Sequence, residues 1–228
     1  MSIAEAYRAF RAALLLSRAG GVKTIAITSS LPAEGKTVTA LNLAVVLGQL
    51  GKRVLIVDGD LHKSHMHEIF HVSNRVGLVS ILAENVEATA TLQRTAIPNV
   101  FLIPSGPSSP NPSGLLSSEA MRKFLEFAAA NFDYVIIDTP PVSLVADALL
   151  LGHEVDGIVL TVSGGRTARE HVERAREKLL RTGVRILGVL INNLEEDAPG
   201  YGRYYAYYAK NYGHERAFAE PPKAAATR

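Results

Sequence analysis

Apolar residues at positions 3, 7, 10, 14 and 15 recur at helical spacing until the Gly20-Gly21 pair interrupts them, which predicts an N-terminal helix. The pattern then changes. TIAIT at 24–28, RVLIVD at 53–58, NVFLIP at 99–104, DYVIID at 133–138, DGIVLTV at 156–162 and RILGVLI at 185–191 are short, almost unbroken apolar runs. Helical patterns fill most of the gaps, beginning with TALNLAVVLGQL, which ends at Gly51. Unbroken runs of this length suit strands buried on both faces. Their alternation with helices predicts an α/β fold, a mostly parallel sheet with helices on both sides. PSGPSSPNPSG at 104–114 reads as a surface loop, too short to separate domains. Past Asn192 the periodicity stops. The expected organisation is one domain over 1–194, with residues 1–20 as its N-terminal helix, followed by a flexible, tyrosine-rich tail at 195–228.

Composition narrows this picture. A chain of 228 residues with 47% hydrophobic and 20% charged residues has material for one sizeable core. The 24 Lys and Arg barely exceed the 22 Asp and Glu, which implies no nucleic-acid partner. With no cysteine, disulfides, thiolate metal sites and thiol nucleophiles are excluded, and a cytoplasmic location is the expectation. Glu5, Arg8 and Arg11 interrupt the N-terminal apolar pattern, so it is not a signal peptide. No later run is long enough to span a bilayer, so membrane association is expected through a partner.

Gly35, Lys36 and Thr37 close a loop between an apolar run and a helix, where backbone N–H groups and a helix N-terminus can hold a polyphosphate. The nucleotide loop is read as Ser30, Pro32, Ala33, Glu34, Gly35, Lys36, Thr37 and Val38, with Lys36 neutralising phosphates and Thr37 binding Mg²⁺. The general motif has glycine where this chain has Ser30. A plain turn before a helix with an exposed lysine would leave the remaining pattern unexplained. That pattern is Asp58 and Asp60 in LIVDGD and Asp138 in VIIDTPP, each at the end of an apolar run, where open parallel sheets place their ligands. Single strand-end aspartates often only cap the next helix. Three of them behind GKT point to a Mg²⁺–nucleotide site in which one of Asp58 and Asp60 contacts metal and the other accepts a proton.

SSLPAEGKT, LIVDGD and VIIDTPPV resemble the three Walker elements of the bacterial tyrosine kinases, a P-loop family unrelated in fold to eukaryotic protein kinases. EAYRAFR resembles that family's Glu-x2-Arg-x2-Arg oligomerisation helix, IPSGPSSPNPSGLLSS its loop before the fifth strand, and the terminal tyrosines its autophosphorylation tail, so the likeness runs from Glu5 to Tyr212. The resemblance implies ATP and Mg²⁺ as cofactors. Lys36 would hold the phosphates, Thr37, Asp60 and Asp138 the metal, and Asp58 and Asp60 would serve catalysis in a division left open. It implies a homo-oligomeric ring built through Glu5, Arg8 and Arg11, with tail phosphorylation in trans and control of capsular or extracellular polysaccharide synthesis and export. Further implied partners are a membrane-embedded activator or polysaccharide co-polymerase, a cognate tyrosine phosphatase and other protein substrates. The activator would hold the kinase at the inner face of the plasma membrane. A chain that starts at the oligomerisation helix suggests an activator on a separate chain. The family usually has Arg and Pro where this chain has His62 and Ser64, with Lys63 a candidate for the missing charge; it often has Gly at Ala33 and Glu at Gly114.

Six of the eight tyrosines, Tyr201, Tyr204, Tyr205, Tyr207, Tyr208 and Tyr212, are read as phosphoacceptors, against the plainer reading of an aromatic patch. Glu5 and Arg8 by spacing alone suit an intrahelical ion pair. His62, His65, His67 and His71 could suggest a metal site, but they suit a charged helix start, and His67 with Phe70 matches the family's His-x2-Phe. Two rivals stand beside the kinase. A partition or septum-placing ATPase switch would carry a second lysine at Leu31 and has no use for a tyrosine tail. A non-catalytic nucleotide-binding scaffold would tolerate His62, but it does not explain three intact aspartates.

Overall fold

The computed structural model describes residues 3–16 and 21–193. Its elements in chain order are α1 (Ile3–Leu16), β1 (Thr24–Ser29), α2 (Lys36–Gly48), β2 (Val54–Asp58), α3 (Met66–Ile69), α4 (Leu78–Glu84), α5 (Ala88–Thr91), β3 (Gln93–Arg94), β4 (Val100–Ile103), α6 (Pro112–Leu116), α7 (Glu119–Asn131), β5 (Tyr134–Asp138), α8 (Asp147–Glu154), β6 (Gly157–Ser163), α9 (Arg169–Arg181) and β7 (Ile186–Asn192). Residues 1–193 form one compact unit. The second unit, 194–228, lies outside the described residues, and with it all six tail tyrosines. No described helix is long and apolar enough to cross a membrane.

The described strands form one seven-stranded sheet in the order β3-β4-β2-β5-β1-β6-β7. All pairings are parallel except that of β3 with β4 at one edge. The apolar runs of β1, β2, β5 and β6 are buried on both faces because successive side chains serve opposite layers. The run at 185–191 departs from that expectation: β7 lies at the edge of the described sheet, and its Val189 and Ile191 are exposed. Ile25, Ile27, Val54, Ile56 and Ile136 point to the layer of α1 and α2, with Tyr7, Leu14, Leu43 and Leu47. Leu55, Val57, Val135 and Ile137 point the other way, towards Leu78, Phe124 and Leu125 of α4 and α7. Ala26, Ile158 and Leu160 share that second face with Ala148 of α8 and Ala175 and Leu179 of α9.

One strand was not foreseen, and one expectation needs correcting. Antiparallel β3 was not foreseen, because two residues have no readable period. The stretch read as a surface loop at 104–114 is buried at its start, and its last three residues begin the helix Pro112–Leu116. The Pro104 and Ser105 carbonyls accept from the Leu78 and Val79 N–H groups at 2.8 Å each, satisfying free donors at the start of α4. Gly77 allows this approach, since a Cβ there would meet the Pro104 oxygen at 2.2 Å.

Candidate active site

Parallel pairing sets Ile27 beside Asp138 and Asp58 beside Asp138, so the C-terminal ends of β1, β2 and β5 are neighbours. Between β1 and α2 the chain makes the loop 30–35. Its turn into α2 is left-handed at Gly35, with φ 90°. That conformation favours glycine, and a Cβ would also displace the Asn192 side chain, whose Nδ2 it would meet at 2.1 Å. Ala33 is likewise left-handed, with φ 62°. That explains why glycine suits the position and sets a cost of about 1–2 kcal/mol for alanine. The buried Glu34 carboxylate accepts from Ser30 Oγ at 2.9 and 2.8 Å, from Leu31 N–H at 2.8 Å and from Thr167 Oγ1. Asn192 donates to the Glu34 carbonyl at 3.2 Å. Ser30 and Glu34 thus brace the loop from within, while Pro32 and Val38 lie along it.

Lys36 Nζ lies 2.9 Å from Asp60 Oδ2, 3.5 Å from Asp138 Oδ2 and 3.4 Å from Thr37 Oγ1. The Thr37 hydroxyl donates to Asp138 Oδ2 at 2.6 Å. Asp58, next to Asp138 in register, accepts the Met66 N–H at 3.2 Å. Three carboxylates therefore surround one ammonium. Burial pushes Asp58 up to about 7, and the Asp138 carboxylate pushes the same way. Burial also raises Asp138 to about 6, against the attraction of Lys36. For Lys36 burial disfavours the charge, yet Asp138 and Asp60 outweigh it and the pKa is raised.

This surplus of negative charge is what a divalent cation neutralises. Asp58 Oδ1 and Asp138 Oδ1 are buried without a hydrogen-bond partner, which also fits a cation site. Among the described residues no three His, Asp or Glu side chains are placed to hold a metal unaided. That fits Mg²⁺, which takes one or two protein ligands and completes its shell with water and phosphate oxygens. His65 pairs with Glu68 at 3.3 Å and His62 with Asp147 at 2.9 Å. Two surface hollows lie elsewhere, one lined by Val142, Leu144 and Lys178, the other by Lys23, Arg122 and Asp156.

Of the three residues expected to serve oligomerisation, Arg8 pairs with Glu5 at 3.0 Å. Arg11 Nη1 donates to the Val46 carbonyl at 2.6 Å, at the C-terminal end of α2. Thr167, Asn192 and Asp147 also contact the site's loops and were not foreseen, nor was Ser113, which donates to Asp147. A strand-end Asn at position 192 and an acid at the start of α8 were the available signals.

A parallel sheet with this loop and these strand-end carboxylates defines a P-loop nucleotide-binding protein using Mg²⁺, and residues 22–173 match the AAA domain family model. The relatives are more specific. The chain is 43% identical over 171 residues to tyrosine-protein kinase YwqD of Bacillus subtilis, covering 75% of this chain and 72% of the relative. It is 37% identical over 186 residues to tyrosine-protein kinase CpsD of Streptococcus agalactiae, covering 81% of each. The kinase domain of the Escherichia coli tyrosine kinase ETK superposes with a TM-score of 0.83 at 34% identity, over 86% of this chain and 78% of that one. The chain belongs to the bacterial tyrosine-protein kinase family.

Proposed function

We propose that this protein is an ATP-dependent tyrosine autokinase that phosphorylates its own tyrosine cluster in trans and regulates capsular or extracellular polysaccharide synthesis and export. The convergence of Lys36, Thr37, Asp58, Asp60 and Asp138 on one sheet edge carries the reading, and kinship with YwqD and CpsD supports it. Ser30, Pro32, Ala33, Glu34, Gly35 and Val38 shape the nucleotide loop, whose N–H groups face phosphate oxygens. Lys36 neutralises charge there. Thr37, Asp60 and Asp138 hold Mg²⁺. Bound Mg²⁺–ATP supplies the phosphoryl group and the charge neutralisation that transfer needs. Of the two strand-end carboxylates Asp58 and Asp60, one would take the proton of a tyrosine hydroxyl. Tyr201, Tyr204, Tyr205, Tyr207, Tyr208 and Tyr212 are the acceptors. Copies meet through the helix bearing Glu5, Arg8 and Arg11. A membrane-embedded co-polymerase activates the kinase at the inner face of the plasma membrane, and a cognate phosphatase resets it.

Purified protein incubated with Mg²⁺–ATP, with and without the activator, is scored for phosphotyrosine at 201–212 by mass spectrometry. Modification that disappears in Lys36→Ala is expected. ATP hydrolysis that leaves every tyrosine unmodified, even with activator present, would overturn the kinase reading.

A further inference from the structure

Residues 59–65 join β2 to α3 and carry Asp60. The segment is fixed at its base, where Gly59 N–H donates to the Asp138 carbonyl at 2.9 Å and Met66 N–H to Asp58 at 3.2 Å. Internally, Lys63 N–H donates to Asp60 Oδ1 at 3.0 Å. From its outer half His65 pairs locally with Glu68 of the adjoining α3, at 3.3 Å, whereas His62 reaches a distant element: its Nε2 lies 2.9 Å from Asp147 Oδ2. Asp147 opens α8 with a side chain that is 0% exposed, and its other oxygen accepts from Ser113 Oγ of α6 at 2.5 Å. One buried carboxylate thus ties together the Asp60 loop, α6 and α8. A buried carboxylate needs its donors, because leaving one lone pair empty costs the desolvation of that oxygen. Asp147 therefore holds His62 in place.

We propose that His62 and Asp147 are positioning residues for Asp60: the buried carboxylate grips the imidazole and so fixes the loop that sets Asp60 beside Lys36. The catalytic consequence rests on the kinase reading given above; the mechanical one does not. Arginine at position 62 would also present N–H donors, so it is the substitution expected to keep the anchor. Displacement of a reacting group by about 1 Å can cost on the order of 10²-fold in rate, so a loosened loop should lower turnover rather than nucleotide binding.

The test uses the full chain as wild type, His62→Ala, His62→Arg, Asp147→Asn and the His62→Ala/Asp147→Asn pair. Amide hydrogen exchange is followed over 59–66 without nucleotide, beside kcat and the KM for ATP in tyrosine phosphorylation. In His62→Ala, exchange at 60–65 should speed up about tenfold or more while β1, β5 and β6 stay protected; kcat should fall about tenfold with KM for ATP within about twofold. His62→Arg should restore both. The double variant should be no worse than the poorer single one, the signature of residues acting as one unit. Unchanged loop exchange in His62→Ala, no restoration by His62→Arg, or additive losses would each overturn the anchor. If the wild type transfers no phosphate to tyrosine, the kinase reading fails, and loop exchange alone still decides whether His62 and Asp147 hold the loop.

Discussion

Asp58 shows how function and stability oppose each other in this site. Its carboxyl has a folded pKa of about 7 against an ordinary 3.8, chiefly through burial and then Asp138. The folded protein therefore keeps its proton where the unfolded chain has lost it, and stability falls as pH rises from about 4 to about 7. Asp58→Asn retains the acceptor for Met66 N–H and removes the buried charge. We expect it to raise the melting temperature of the nucleotide-free protein at pH 8 by several degrees, a gap that closes below about pH 4, while phosphorylation is lost. Thermal melts across pH check this, and a lower melting temperature at pH 8 would refute it. Ala33→Gly relieves about 1–2 kcal/mol of left-handed strain and loses about 0.4–1 kcal/mol to the freer unfolded chain, so a small gain in denaturant midpoint is expected. At this scale the sequence exposed what lies in local pattern: Lys36 and Thr37 after a loop, and Asp58, Asp60 and Asp138 at the ends of apolar runs. It could not expose Thr167 against Glu34, 133 positions away, or Asn192 against the same loop, 158 positions away, because no local spacing encodes such contacts.

Among the elements, those with a sustained period were legible and those without were not. The six apolar runs became β1, β2, β4, β5, β6 and β7, whereas β3 and α5, with two and four residues, are shorter than any repeat that could announce them. The start of the 104–114 segment is buried for a reason that polar composition conceals: its carbonyls serve α4. α1 illustrates a different limit. Its buried Tyr7 and Leu14 follow the helical stripe, but the partner of Arg11 is a backbone oxygen, which no residue identity reveals. A guanidinium on the last turn of α2 also meets the negative end of that helix. Arg11→Ala should therefore speed amide exchange along α1 while Mg²⁺–nucleotide affinity stays within about twofold. Unchanged exchange in α1 would show that the contact does not hold the helix.

For the molecule as a whole, trans phosphorylation makes a prediction that mixing can check. Lys36→Ala with intact tyrosines should acquire phosphate from a chain whose Tyr201, Tyr204, Tyr205, Tyr207, Tyr208 and Tyr212 are all phenylalanine. Replacing Glu5 and Arg8 in both chains should suppress the transfer. Phosphate that never reaches the Lys36→Ala chain would indicate that each chain modifies only itself. One feature of the body bears on how such an assembly would behave. α2 has 13 residues, about 20 Å of helix; it starts at Lys36 and Thr37, and Arg11 of α1 grips its far end at Val46. A rod that short tilts as one piece. If copies meet through α1, occupancy of the cradle and the seating of a neighbour act on opposite ends of the same lever. Thermodynamic linkage then requires reciprocity: whatever factor nucleotide applies to assembly, assembly applies to nucleotide affinity.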